Sequence, residues 1–188
     1  MSTHCGSVIP PLTPVQKMTG TTLLIDKPSG MTSFDIIRVL RKKLNFKKMG
    51  HAGTLDPMAT GLMIIGIGKA TKKLTDYIKL GKEYEGTIEF GKNSDTYDGD
   101  GKITPVENAI EVSEEAIPEI LKSFTGEIEQ VPPIYSAKKI KGVPAYKLAI
   151  KGEEVKLLPR KVKIYDIEIL SYDWPFLSLR VKCSSGTY

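Results

Sequence analysis

Between Met49 and Leu62 the sequence reads Gly50-His51-Ala52-Gly53-Thr54-Leu55-Asp56-Pro57-Met58-Ala59-Thr60-Gly61. This stretch offers an imidazole and a carboxylate on one loop, groups suited to proton transfer and nucleophilic attack. Pro57 biases Asp56 toward extended backbone and has no N–H to donate. Gly53 and Gly61 let the loop fold back tightly and admit another chain close to its backbone. A plainer alternative stays open at this point: Asp-Pro is a common turn, and His51 reads equally as a surface residue.

Other chemistries are excluded by spacing. Gly66-Ile67-Gly68-Lys69 invites a phosphate-loop reading, but Met63 stands where that loop needs its first glycine and Ala70 where it needs Ser or Thr. The dinucleotide fingerprint fails in turn at Thr71, where a third glycine is required. His4, His51, Cys5 and Cys183 lack zinc-site spacing, so no metal is expected. Two cysteines make no disulfide framework and point to a reducing, cytoplasmic compartment.

The loop follows a basic stretch. From Ile36 to Gly50 stand Arg38, Arg41, Lys42, Lys43, Lys47 and Lys48 with no acid, whereas Asp95 to Glu119 carries eight acids against Lys102 alone. In a chain of net charge +5 and pI near 9.0, this polarity suggests orientation on a polyanion. A solvated helix face accounts for the charges as well.

The elements that must position these groups are readable in part. Thr21 to Asp26 is a short β-type run, and Lys27-Pro28-Ser29-Gly30 turns the chain. Thr32 or Ser33 caps a helix in which Phe34, Ile37, Leu40 and Leu44 recur at helical spacing. Leu62 to Ile67 is a strand, and a second helix is expected from about Thr71 to Lys79. Glu83 to Phe90 alternates, with Tyr84, Gly86, Ile88 and Phe90 on one face. Gly91 to Gly101 reads as a polar loop, and Ser113 as the cap of a helix running to about Ser123. The last third reads as β at Glu127 to Gln130, Lys161 to Leu170 and Phe176 to Cys183, with a short helix near Ala145 to Ile150. Irregular interleaving of strands and helices favours an α+β fold.

With 188 residues, one domain is expected over 21–188, preceded by a polar, proline-rich tail over 1–20. The longest apolar run, Leu62 to Ile67, is too short to cross a bilayer, so no membrane is expected.

Several strings together carry a resemblance. IDKPSGMTS, GHAGTLDPMATGLMIIGIGKATK, Lys82-Glu83-Tyr84, Asp95-Thr96-Tyr97-Asp98, VPPIYSAKKIKGVPAY and the closing VKCSSGTY occur in order from about Gly20 to Tyr188. In these the chain resembles the bacterial TruB family of tRNA pseudouridine synthases. The resemblance implies a pseudouridine synthase fold, a mixed and mainly antiparallel sheet flanked by helices. It also implies cofactor-independent isomerisation of uridine 55 in the T loop of tRNA, with no obligatory protein partner. Asp56 matches the family's nucleophilic aspartate, and a carboxylate suits glycosidic cleavage, which builds positive charge at C1′. Tyr84 matches the active-site tyrosine, His51 the histidine that supports flipped-out bases, and Tyr188 the tyrosine at the target uridine. Because Tyr84 shares a face with Ile88 and Phe90, a core role stays open for it. Flipping costs about a few kcal/mol and leaves the base held by stacking and edge contacts. Arg38, Arg41, Lys42 and Lys43 are then expected to hold phosphates beside the Asp56 loop.

Two departures from the family pattern shape further expectations. Ala149 is followed by Ile150 where the family has an Ala-Arg pair. The family motif also continues from GTY to an arginine that pairs with the aspartate, two residues beyond Tyr188. Arg180, alternating with Ser178 and Lys182 on a polar strand face, is expected to be solvated and not to replace it. The resemblance therefore implies a domain truncated at its C-terminus, weak or inactive alone and prone to associate through an exposed sheet edge. Two other readings remain: a non-catalytic RNA-binding or tRNA-folding protein, and a guide-RNA-dependent synthase relative.

Overall fold

The computed structural model describes residues 20–134 and 157–188, together with the backbone of 139–140 and 143–144. The chain divides into two compact units, one ending at Ile78 and one beginning at Lys79. Antiparallel strands with short helices give an α+β fold.

The first unit holds β1 (Thr22–Lys27), α1 (Ser33–Leu44), β2 (Met49–His51), β3 (Gly61–Ile67) and α2 (Leu74–Ile78). Its sheet has the order β1-β3-β2, with Lys27 opposite Gly61 and His51 opposite Ile65. β2 was not legible in the sequence; three residues are too few for a periodic signal. Thr32 rather than Ser33 caps α1, and Asp35 completes a capping box by bonding back to the Thr32 N–H. Ile36, Ile37 and Leu44 pack on Met49, Met63, Ile65 and Ile67, each side chain contributing roughly 1.5–3 kcal/mol on burial.

The expected stripe holds at Ile37, Leu40 and Leu44 and fails at Phe34. Phe34 is 52% exposed and lies beneath the Arg38 and Arg41 guanidiniums, 5.8 and 5.6 Å from its centroid, while Ile36 takes the core place. The second helix also differs: Gly68–Lys73 is a 3-10 segment, and only Leu74–Ile78 is α-helical.

The second unit contains β4 (Lys82–Glu89), β5 (Lys92–Ser94), β6 (Ile103–Pro105), α3 (Ile117–Lys122), β7 (Gly126–Gln130), β8 (Lys139–Ile140), β9 (Val143–Pro144), β10 (Arg160–Asp173) and β11 (Phe176–Cys183). The main sheet runs β4-β11-β10-β7, all antiparallel. On one face Leu177 and Leu179 pack against Ile117 of α3, with Ile167, Val181 and Phe90 around them. The region expected as a polar loop holds β5 and the turn of a hairpin whose second strand, β6, follows just past it; both strands are too short for alternation to reveal. Ser113 stands at the expected cap position but makes no side-chain capping bond; a 3-10 turn over Glu114–Ala116 leads into α3, and Pro118 fits because it lies in the helix's first turn. The helix expected near Ala145 to Ile150 lies outside the described residues.

The other face of this sheet corrects the reading of Arg180. It stands opposite Glu85 of β4 and Glu168 of β10, bonding to both at 2.7 Å. Lys182 repeats the pattern more loosely with Glu83 and Asp166, each at 3.8 Å. Hydrogen bonds from Arg180 to Glu85 and then Glu168 raise its already high pKa further. Cross-strand register, invisible in a linear sequence, supplies the partners.

Candidate active site

Asp56 lies in the nine-residue connection from His51 of β2 to Gly61 of β3. Because β1 also pairs with β3 and ends opposite Gly61, the β1–α1 turn emerges beside this connection. The two segments are joined at both neighbours of Asp56. On one side Ser33, 2% exposed, donates from Oγ to Leu55 O at 3.1 Å and accepts from Leu55 N–H at 2.9 Å. On the other, Lys27 Nζ donates to Pro57 O at 3.0 Å and Gly30 N–H to the same oxygen at 2.8 Å. Ser29 Oγ adds a bond to Met58 O at 2.9 Å. Asp56 itself is exposed, and its carbonyl accepts from Ala59 N–H at 3.1 Å to close a turn.

Lys27 is wholly buried, an unusual place for an ammonium group. Its three donors match three carbonyls: Pro28 O at 3.0 Å, Met31 O at 2.7 Å and Pro57 O at 3.0 Å. A charge removed from water is tolerable only when its hydrogen bonds are met, and a trivalent donor among carbonyls meets them. Gly53 and Gly61 adopt φ of +115° and +112°, the left-handed region that lets the loop leave and rejoin the sheet sharply.

His51 is half-buried, and its Nδ1 donates to Gly53 O at 2.5 Å. That bond fixes the Nδ1–H tautomer of the neutral ring and leaves Nε2 as an acceptor. The sequence suggests one loop for Asp56 and His51, whereas His51 is the last residue of β2, paired with Ile65, and only Asp56 lies in the connection that follows. Sequence reading missed Lys27 and Ser33 as supports. A lysine closing an apolar strand and two adjacent hydroxyl residues at a single helix start were the available signals.

The expected phosphate-holding residues also lie in this unit, but α1 runs away from the Asp56 loop. Ser33 at its first turn holds Leu55, so Lys43 stands about 15 Å farther along the axis. Arg38 pairs with Asp35, and Arg41 donates to Met49 O at 3.3 Å with its Nε buried and unbonded among the described residues. Lys42 and Lys43 are exposed. Basic side chains in a helix's last turn also complement its dipole.

Tyr84 and Tyr188 belong to the second unit. Tyr84, opposite Val181 on the apolar face of β4, is 45% exposed, which does not fit a closed core position. Tyr188 is 49% exposed, past the end of β11.

The family described as "TruB family pseudouridylate synthase (N terminal domain)" matches residues 41–188. The tRNA pseudouridine synthase B of Clostridium acetobutylicum is 51% identical over 167 residues, covering 88% of this chain and 57% of that protein. That of Opitutus terrae is 48% identical over 166 residues, covering 88% of this chain and 69% of that one. Among solved structures, a Cbf5-Nop10-Gar1 complex contains a chain superposing with TM-score 0.69 at 29% identity, covering 94% of this chain and 43% of the other. The chain thus spans somewhat over half the length of the first of these relatives. From the matched span and the level of identity, this chain belongs to the TruB family of pseudouridylate synthases.

Proposed function

We propose that the protein converts uridine 55 in the T arm of tRNA to pseudouridine, with Asp56 as the nucleophile. The observation that carries this reading is the clamping of Leu55 and Pro57, which presents the carboxylate between them on a fixed loop. Pre-positioning is what a nucleophile needs for attack on a flipped nucleotide. In the reaction the N1–C1′ bond breaks and a C5–C1′ bond forms. The uracil turns between the two steps, C5 loses its proton, and N1 gains one. No atom is gained or lost overall.

In this reading His51 supports the bases that leave the loop stack, Tyr84 stacks on the target uracil, and Tyr188 contacts the target nucleotide. The half-exposed aromatic rings of Tyr84 and Tyr188 suit such contacts. The enzyme acts in the cytoplasm on tRNA without an obligatory protein partner. Identity of 51% to a tRNA pseudouridine synthase B favours tRNA over the guide-RNA-dependent alternative. The deciding experiment is tritium release from C5-labelled uridine in unguided tRNA by the full-length protein. Release without guide RNA supports the reading. Tight binding without release would instead make it an RNA-binding protein.

A further inference from the structure

Past β11 the chain stays tied to the sheet. Ser184 N–H donates to Lys163 O at 2.8 Å, and Ser184 Oγ accepts from Lys163 N–H at 2.9 Å. Thr187 Oγ1 donates back to Ser184 O at 3.0 Å. Tyr188 is then held by a side chain behaving as a strand would. Its N–H donates to Gln130 Oε1 at 2.9 Å, and its carbonyl oxygen accepts from Gln130 Nε2 at 2.6 Å.

A primary amide has an acceptor and a donor on one edge, so these two bonds form a ring that fixes the Tyr188 main chain in place and in facing. Gln130 is the last residue of β7, in register with Arg160 at the start of β10. The Arg160 guanidinium lies so close to Gly186 that a Cβ there would overlap it. The segment 184–188 is therefore gripped at both ends and pressed in its middle.

The Tyr188 ring is half-exposed, so packing alone does not set its place. With the main chain held, the Tyr188 phenol is confined to the few staggered positions that its two side-chain torsions allow from that one point. We propose that Gln130 is a positioning residue that, through the main chain of Tyr188, sets where the Tyr188 phenol stands for the target nucleotide. This rests on the role given to Tyr188 above.

The test uses the full-length protein with 3-fluorotyrosine at its tyrosines, the Tyr188 resonance being assigned by Tyr188→Phe. Gln130→Met keeps length and removes both bonds; Gln130→Glu keeps the acceptor and loses the donor. Gln130→Met is expected to turn the single Tyr188 fluorine line into several or a broadened one. It should lower the single-turnover rate on a T-arm hairpin about ten-fold or more, with RNA affinity unchanged. Gln130→Glu should fall between. In a Tyr188→Ala background the Gln130 loss should vanish, because the residue it acts through is gone. An unchanged fluorine line, or rate losses that add to Tyr188→Ala, would overturn the proposal. A wild-type protein that converts no uridine, with the line still split by Gln130→Met, would overturn the catalytic reading and leave the positioning intact.

Discussion

Ser33 and Leu55 hold each other in both directions: one hydroxyl satisfies both the N–H and the carbonyl of the residue that precedes Asp56. The first residue of α1 is thus part of the loop's support, and the helix could not shift without carrying the carboxylate with it.

Ser33→Ala leaves two main-chain groups of Leu55 without this partner in a part-buried place. A loss of roughly 1–3 kcal/mol in stability is expected, read as a lower urea midpoint at unchanged slope. The single-turnover rate measured well below the melting range should fall by up to about a hundred-fold, as loosened loops lose attack geometry. Wild-type rate with reduced stability would confine Ser33 to folding.

Lys27→Met should cost more in stability, on the order of 3 kcal/mol, because three carbonyls lose one shared donor. Lys27→Arg should not restore it, since the larger planar guanidinium has no room at a fully buried position. A wild-type midpoint in Lys27→Met would show that the buried ammonium contributes nothing, and one in Lys27→Arg that the site has room for a guanidinium.

Asp35 gives the fold an acid-sensitive spot. Bonds from the Thr32 side chain, then its main chain, with Arg38 nearby, hold its carboxyl below the ordinary value of 3.8. A lowered folded pKa means its contribution is complete above that value and is lost as pH falls through the lower one. Asp35→Asn should therefore lower Tm at about pH 7, and the difference should shrink progressively as the pH is taken below 3.8. A difference that persists unchanged into acid would contradict the role of the ionised form.

Lys42 and Lys43 are the exposed members of the basic turn. Replacing both with Gln should flatten the log Kd versus log salt slope by about 0.7–0.9 for each phosphate that is no longer neutralised. An unchanged slope would leave these lysines to the helix dipole alone.

What the sequence revealed, and what it hid, follows the range of the interactions concerned. β11 was bounded correctly because Phe176 to Cys183 alternates along its own length. Asp56 was found because its loop has unusual local composition. Phe34 misled because its spacing fits the apolar stripe, whereas the ring lies half-exposed beneath two guanidiniums. The Lys27 contact to Pro57 and the partners of Ser33, Arg180 and Gln130 were not legible because they lie 12 to 95 residues away, brought together only by strand register and a shared sheet end.

The most direct measurement is tritium release from C5-labelled uridine 55 tRNA by the full-length protein beside its Asp56→Asn variant. Forming the C5–C1′ bond expels the C5 hydrogen to water, so release reports the isomerisation itself. The wild type is expected to release tritium in the absence of any guide RNA. The variant should bind the same tRNA with similar affinity and lose release by about 10⁴-fold. Comparable release from Asp56→Asn would contradict the assignment of Asp56 as the nucleophile that the clamped loop exists to hold.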